Sequence, residues 1–358
     1  MGPSICDCRF AFRLILTGDG NYKADHVAQP PASNDKDVWL GEGGGMMPRR
    51  TEYRAFLKTA LERHTVCTFF LADGILDADS CMQKAPCENT FRAITNAVLA
   101  SKACDITGVV AIACARHGCY APNSIVDLYK SEQQKNVDFA ILKAIETTGV
   151  DPDQGILFIY DIVCQYIIYL QDRIGRHLPP GLEIDRAIGL FHVHAHKEQC
   201  FFRYSPSFIP GAATVCGEIM ESLWAALNGI SQSIRTATLA HRAEVLDDHA
   251  CDSNHKKLLG MTNFLSRRHK EAAENLEEAD KYLDQLTRAA DPLAIQAWTQ
   301  EIEHAEATRL VDPAVMDIYG ARAMPGTAAP VDAPAPSTEG KSAMQLWLEL
   351  ALVVEERQ

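Results

Sequence analysis

The sequence predicts an α/β fold, with a mixed-sheet core interrupted by a largely helical insertion and followed by a helical C-terminal region. Three observations predict it. The stretch "RFAFRLILTGDGNY" (9–22) alternates apolar and polar residues before a glycine-flanked acidic tip, as a strand with one face in a core does. The stretches "TGVVAIACARHG" (107–118) and "NSIVDLYK" (123–130) read as two more strands, joined by the turn "CYAPN". Finally, "NVDFAILKAIETTG" (136–149) has the spacing of an amphipathic helix closed by Gly149. It leads into "GILFIYD" (155–161), an apolar run that suits a strand buried on both faces.

Three antiparallel strands followed by a helical crossover to a parallel strand is the order of a ribonuclease H-like core. That core is expected over 9–260, with a loop and helical insertion at 28–104. Within the insertion, "AQPPASNDKDVWLGEGGGMMPRR" (28–50) has the Pro/Gly-rich composition of an exposed loop, while 52–63 and 88–102 carry helical periodicity. Further on, "GEIMESLWAALNGISQSI" (217–234) predicts a helix. The stretch "RRHKEAAENLEEADKYLDQLTRAA" (267–290) predicts a solvated amphipathic one, within a helical extension at 261–322. A Pro/Ala-rich linker (323–341) and a short terminal helix (342–358) complete the chain.

With 358 residues the chain is long enough to bury a sizeable core. Its net charge of −13 argues against a surface that grips nucleic acid everywhere, because phosphate contacts are made by Lys and Arg, and leaves only local basic patches. The longest apolar run is broken by Asp161 and Gln165, so it reads as core, and no membrane partner is expected. The N-terminus lacks a signal-peptide pattern, which implies an intracellular protein. In that compartment its twelve cysteines are free thiols or metal ligands rather than disulfides, and most, such as Cys67, Cys104 and Cys251, read as small buried hydrophobes.

Asp19 and Asp161 close two core strands that such a fold sets side by side. With an acid from a later helix, Glu218 or Glu221, they would form an oxygen-donor site for two Mg²⁺ or Mn²⁺ ions. The plainer readings are a glycine-flanked turn at Asp19 and a helix cap at Asp161. The dense cluster "FHVHAHKEQC" (191–200) places His192, His194 and His196 on one face if it is a strand. As a helix it pairs His192 with His196, and His196 with Cys200. Together with Cys114 and His117 these could close a tetrahedral zinc site. In "LDDHACDSNHKK" (246–257) a capped helix start accounts for Asp247 and Asp248.

The motifs "GDGN", "GVVAIACARHG", "VDLYKSEQQKNVDFA", "YDIVCQY", "FHVHAHKEQC", "GEIMESLWAALN" and "LDDHACDSNHKK", in that order over about residues 9–260, resemble the Kyakuja-Dileera-Zisupton (KDZ) transposases of fungal type. The resemblance implies a ribonuclease H-like core that cleaves DNA and transfers strands with two divalent cations. Its metal-binding acids fall on Asp19, Asp161 and either Glu221, which is favoured, or Glu218. It also implies a structural Zn²⁺ drawn from Cys114, His117, His192, His196 and Cys200. Transposon-end DNA is then the expected partner, with Lys256, Lys257, Arg267 and Arg268 as candidate contacts. Self-association and nuclear residence are further expectations. The chain departs from the family pattern at Ile219, Ser222, Ser253, His255 and the segment Lys130–Gln133. A truncated or decayed copy, acting as a non-catalytic zinc-stabilised DNA- or protein-binding protein, is therefore the alternative reading.

Overall fold

The computed structural model describes residues 13–28, 39–61, 104–129, 132–213 and 215–320. The expected helix at 88–102, Cys67, the 323–341 linker and the terminal helix lie outside the described residues. The chain divides into two compact units, one through Met261 and one from Thr262.

A five-stranded sheet organises the first unit. Its strands are β1 (Leu14–Asn21), β4 (Gly108–Cys114), β5 (Val126–Leu128), β6 (Ile156–Ile159) and β7 (Ile184–Ala187), in the order β5-β4-β1-β6-β7. β4 runs antiparallel to β1 and β5, whereas β6 is parallel to β1 and β7. Two short strands, β2 (His26–Val27) and β3 (Cys104–Ile106), pair separately. The meander and the crossover are therefore both present. The crossover helix, Gln134–Thr147, starts at a capping box in which the Gln133 and Asn136 side chains each bond the other's backbone.

All seven residues of β4 are buried, and strand alternation sorts them onto two faces. Val110 and Ile112 join Leu16, Phe158 and the apolar side of the crossover helix. Val109, Ala111 and Ala113 pack with Met220, Leu223, Trp224 and Leu227 of the helix Ile219–Leu227, and with Leu246 and Ala250 of a long helix, Leu239–Ala289. Helices thus cover both faces, which explains why the strands read as nearly continuous apolar runs.

Three local expectations change. The helix expected over 217–234 ends at Leu227 and resumes as Ser231–Ile234, beyond Gly229. Asp247 and Asp248 lie inside the long helix rather than at its start, and Asp247 accepts hydrogen bonds from the Met46 and Met47 amides at 2.8 and 2.6 Å. The described end of the 28–50 segment is accordingly docked, with Met47 buried. Cys251 is exposed rather than packed.

In the second unit the rest of the long helix carries i,i+4 ion pairs such as Lys281–Glu277 at 2.8 Å. A further helix, Pro292–Thr308, is capped by Asp291.

A buried ion pair fastens the crossover helix to the segment that follows β6. Asp138 receives Arg173 Nε at 2.8 Å and the Tyr166 hydroxyl at 2.7 Å, and the Arg173 guanidinium lies over the Tyr166 ring. Removing one partner leaves a buried charge uncompensated. Asp138→Ala is expected to cost about 3–5 kcal/mol of stability, measured by chemical denaturation, and a loss under about 1 kcal/mol would contradict this account.

Candidate active site

β1 meets the segment 217–228 along one face. Its odd-numbered residues face that segment in turn. The Thr17 hydroxyl donates to Gly217 O at 3.3 Å, Asp19 Oδ2 accepts from Trp224 Nε1 at 2.7 Å, and Asn21 Nδ2 donates to Asn228 Oδ1 at 2.9 Å. The "GDGN" and "GEIMESLWAALN" motifs are thus two halves of one contact. Gly217 makes the close approach possible: it has φ +84°, and a Cβ there would stand 2.9 Å from Ile159 and 3.0 Å from the backbone of Gly189.

The parallel register ends with Thr17 opposite Ile159, and Asp19 and Asp161 each follow two residues later, near enough for the charge of Asp19 to act on Asp161. The two acids feel each other. Burial, then the charge of Glu132, raises Asp19 to about 7, against which the Trp224 and Gly20 N–H groups work by stabilising its anion. Asp161 is also raised to about 7, by burial first and then by Asp19, although 37 % of its side chain is exposed. Glu221 lies on the first turn of Ile219–Leu227, and its charge acts on both aspartates. Glu218 precedes that helix and is fully engaged: Oε1 accepts from the Phe191 amide at 3.0 Å and Oε2 faces His192 Nδ1 at 2.8 Å.

His192 bridges two of the acids, its Nε2 standing 3.3 Å from Asp161. The Glu218 hydrogen bond, outweighing burial, raises its pKa to about 9, so near neutral pH it is a cation inside the acidic cleft.

"FHVHAHKEQC" is neither wholly strand nor wholly helix. A 3₁₀ turn, Val193–Ala195, gives way at extended Lys197 to the helix Glu198–Tyr204. This splits the expected Cys/His set. His196 and Cys200 gather with Cys164, and the three donor atoms lie within 4.8 Å of one another. Cys164 Sγ and His196 Nδ1 are 3.5 Å apart. Two ligands of one tetrahedral Zn²⁺ would stand about 3.6 Å apart, from typical Zn–S and Zn–N lengths. His192 belongs instead to the carboxylates. Cys114 ends β4 and His117 lies just beyond it, where Cys114 N donates to Cys119 O and Cys119 N to His117 Nδ1. His117 is held below its usual pKa by burial and then by Lys257 and Arg116.

Of the expected DNA contacts, Lys257 reaches Gly118 beside Ile219, next to Glu218 in the chain. Lys256 pairs with Asp252 at 2.6 Å. Arg267 and Arg268, in the second unit, both pair with Glu271.

The sequence reading left out three residues of this neighbourhood. Glu132 is a fifth carboxylate, raised to about 7 by burial, and it accepts from the Tyr160 hydroxyl at 2.6 Å and, more weakly, from Tyr22 at 3.4 Å. Cys164 was hidden in an apolar run, where a lone cysteine reads as core. Trp224 follows Glu221 by one helical turn, a spacing that would have placed it on the same face.

The profile of the Kyakuja-Dileera-Zisupton (KDZ) transposases matches residues 12–254, and the chain belongs to that family. No curated protein and no solved structure matches it. No helix of the described residues is long and apolar enough to cross a membrane.

Asp19, Asp161 and Glu132 bind protons more readily folded than unfolded. Their contribution to stability is present at low pH and lost as pH rises through about 7; that of His192 is lost between about 6.5 and 9. Melting temperatures in a chelator are therefore expected to fall between about pH 5 and pH 9, and added Mn²⁺ to restore most of the loss at the alkaline end. A metal-free melting temperature that stays flat or rises across that range would contradict these assignments.

Proposed function

We propose that the chain is a transposase-type enzyme that cleaves DNA and transfers strands at a two-metal site made by Asp19, Asp161 and Glu221. The observation that carries this reading is the pairing of β1 with β6, whose ends lead to Asp19 and Asp161, together with the Glu221 charge that acts on both; these support it. The strand order, antiparallel meander then parallel addition, is that of a ribonuclease H-like core and supports the same reading.

The donor set fits hard divalent cations. Carboxylate oxygens are their preferred ligands, and the strain of burying acids beside other carboxylates, Glu132 for Asp19 and Asp19 for Asp161, is relieved by positive charge. Bound there, Mg²⁺ or Mn²⁺ would polarise a phosphodiester and activate water or a 3′-hydroxyl. The protein's own groups prepare the cleft. Trp224 and the Gly20 amide fix the Asp19 carboxylate, and His192 orients Asp161 and offsets its charge. Glu221 is preferred over Glu218 as the third ligand because both Glu218 oxygens are already bound, whereas the Glu221 carboxylate has no hydrogen bond among the described residues.

Cys164, His196 and Cys200 supply two thiolates and an imidazole suited to Zn²⁺, which would brace the chain just after Asp161. Lys257 is the best placed of the candidate phosphate contacts. DNA is the partner this reading requires, and the nucleus is where such a protein would meet it.

Calorimetry of the zinc-loaded protein is expected to show saturable Mn²⁺ binding that Asp161→Asn abolishes. Glu221→Gln should weaken it about tenfold, more than Glu218→Gln does. Nicking of supercoiled plasmid in Mn²⁺ should be lost with Asp161→Asn. A well-folded protein that binds no Mn²⁺ would contradict the catalytic reading and leave a zinc-stabilised binding protein. Metal analysis should find zinc lost from Cys164→Ser but kept in Cys114→Ser, and equal zinc in both would overturn the ligand set.

A further inference from the structure

We propose that Glu132 is a positioning residue for the metal-binding acids, one that ties the end of β1 to the end of β6 from behind the sheet and so fixes the separation of Asp19 and Asp161. The inference rests on the proposed metal site and adds a residue to it.

Strand alternation sets the geometry. Asp19 faces the helix Ile219–Leu227 through Trp224, so its neighbour Gly20 faces the other side, and there a Cβ would overlap the Glu132 carboxylate. Tyr160, next to Asp161, likewise points away from the acids and packs on Phe158 and Tyr166 in the core beside the crossover helix. Its hydroxyl donates to Glu132 Oε1 at 2.6 Å, and the hydroxyl of Tyr22, just past the end of β1 that carries Gly20, donates to Oε2 at 3.4 Å. One buried side chain, 9 % exposed, therefore touches the residue after Asp19 and the residue before Asp161.

Glu132 is poorly placed as a ligand, because it lies on the opposite face from Trp224 and Glu221 and both its oxygens accept hydroxyl protons. It is well placed as a strut. Its carboxylate fills the space left by the absent Cβ of Gly20, which gives the second glycine of "GDG" a role: the first, Gly18, leaves room for Ile112 and Phe158 of the core, with a Cβ there 2.7 Å from Ile112 Cδ1.

The test compares Mn²⁺ affinity by calorimetry with melting temperature without added Mn²⁺, for the full-length zinc-loaded protein. Glu132→Ala and the milder Tyr160→Phe are each expected to weaken Mn²⁺ binding about tenfold or more at temperatures where they stay folded. Glu132→Gln keeps an acceptor for Tyr160 and removes one of three neighbouring negative charges. It should bind Mn²⁺ within about threefold of wild type and, without Mn²⁺ at pH 8, melt higher. Wild-type affinity in Tyr160→Phe, with only its melting temperature lowered, would overturn the assignment, as would equal losses of affinity in the Gln and Ala variants. A wild-type protein that binds no Mn²⁺ would overturn the metal site itself, and this assignment with it.

Discussion

Carboxylates gathered in a partly buried cleft, Asp19 beside Glu132 and Asp161 beside Asp19, raise one another's proton affinity, and the site in the first unit is arranged around that crowding. Parallel pairing of β1 with β6 brings the two aspartates near each other, since its register ends at Thr17 opposite Ile159 and each acid follows two residues later. The neighbours then offset the crowding. An indole N–H and a backbone amide hold Asp19, and an imidazolium stands against Asp161. What remains is a site that favours protons or cations over emptiness, because desolvated like charges gain most from a positive partner. The same logic explains the close packing: glycines at 20, 189 and 217 let the carboxylates of Glu132 and Glu218 and the strand ends approach where a Cβ would intrude.

The surrounding structure serves to keep that cleft in shape. The Asp138–Arg173 pair pins the crossover helix to the segment after β6 from below, and the Cys164–His196–Cys200 cluster gathers the same segment with the turn that carries His192. On the opposite face the long helix is fastened by Arg242, which bonds Asp127 and Ala24 O, and by Asn254, which bonds both backbone groups of Tyr120. Asp247 and Asn254 of the "LDDHACDSNHKK" motif are therefore structural clamps, and Lys257, on the next turn, stands beside Gly118 on an anchored helix.

Much of this was legible in the sequence because it is periodic or punctuated. β1, β4 and β6 are apolar runs ended by Gly, Cys or Asp, and alternation or unbroken hydrophobicity marks a strand whatever its partners. Asp19 and Asp161 stand out in the sequence because each follows or closes an apolar run, and their role as metal ligands is the proposal made above. What escaped depends on contacts between distant segments. Glu132 sits just before a helix, where an acid looks like capping chemistry, and only the register of β1 puts it behind Gly20. Cys164 is one residue in an apolar run. The histidine-rich stretch satisfied both strand and helix periodicity, yet it folds as a 3₁₀ turn followed by a helix, so His192 separates from His196 and Cys200 and joins the acids instead. The helix break at Gly229 was punctuated by the glycine itself, but periodicity ran across it.

The central claim is that Asp19 and Asp161 hold metal together. Diffraction from Mn²⁺-soaked crystals at the manganese absorption edge would test it most directly. The account predicts anomalous density between the two aspartates, with Glu221 turned toward it and Glu218 still bound to His192. Crystals with both aspartates ordered and His192 in place, but with no manganese between them at saturating concentration, would contradict it.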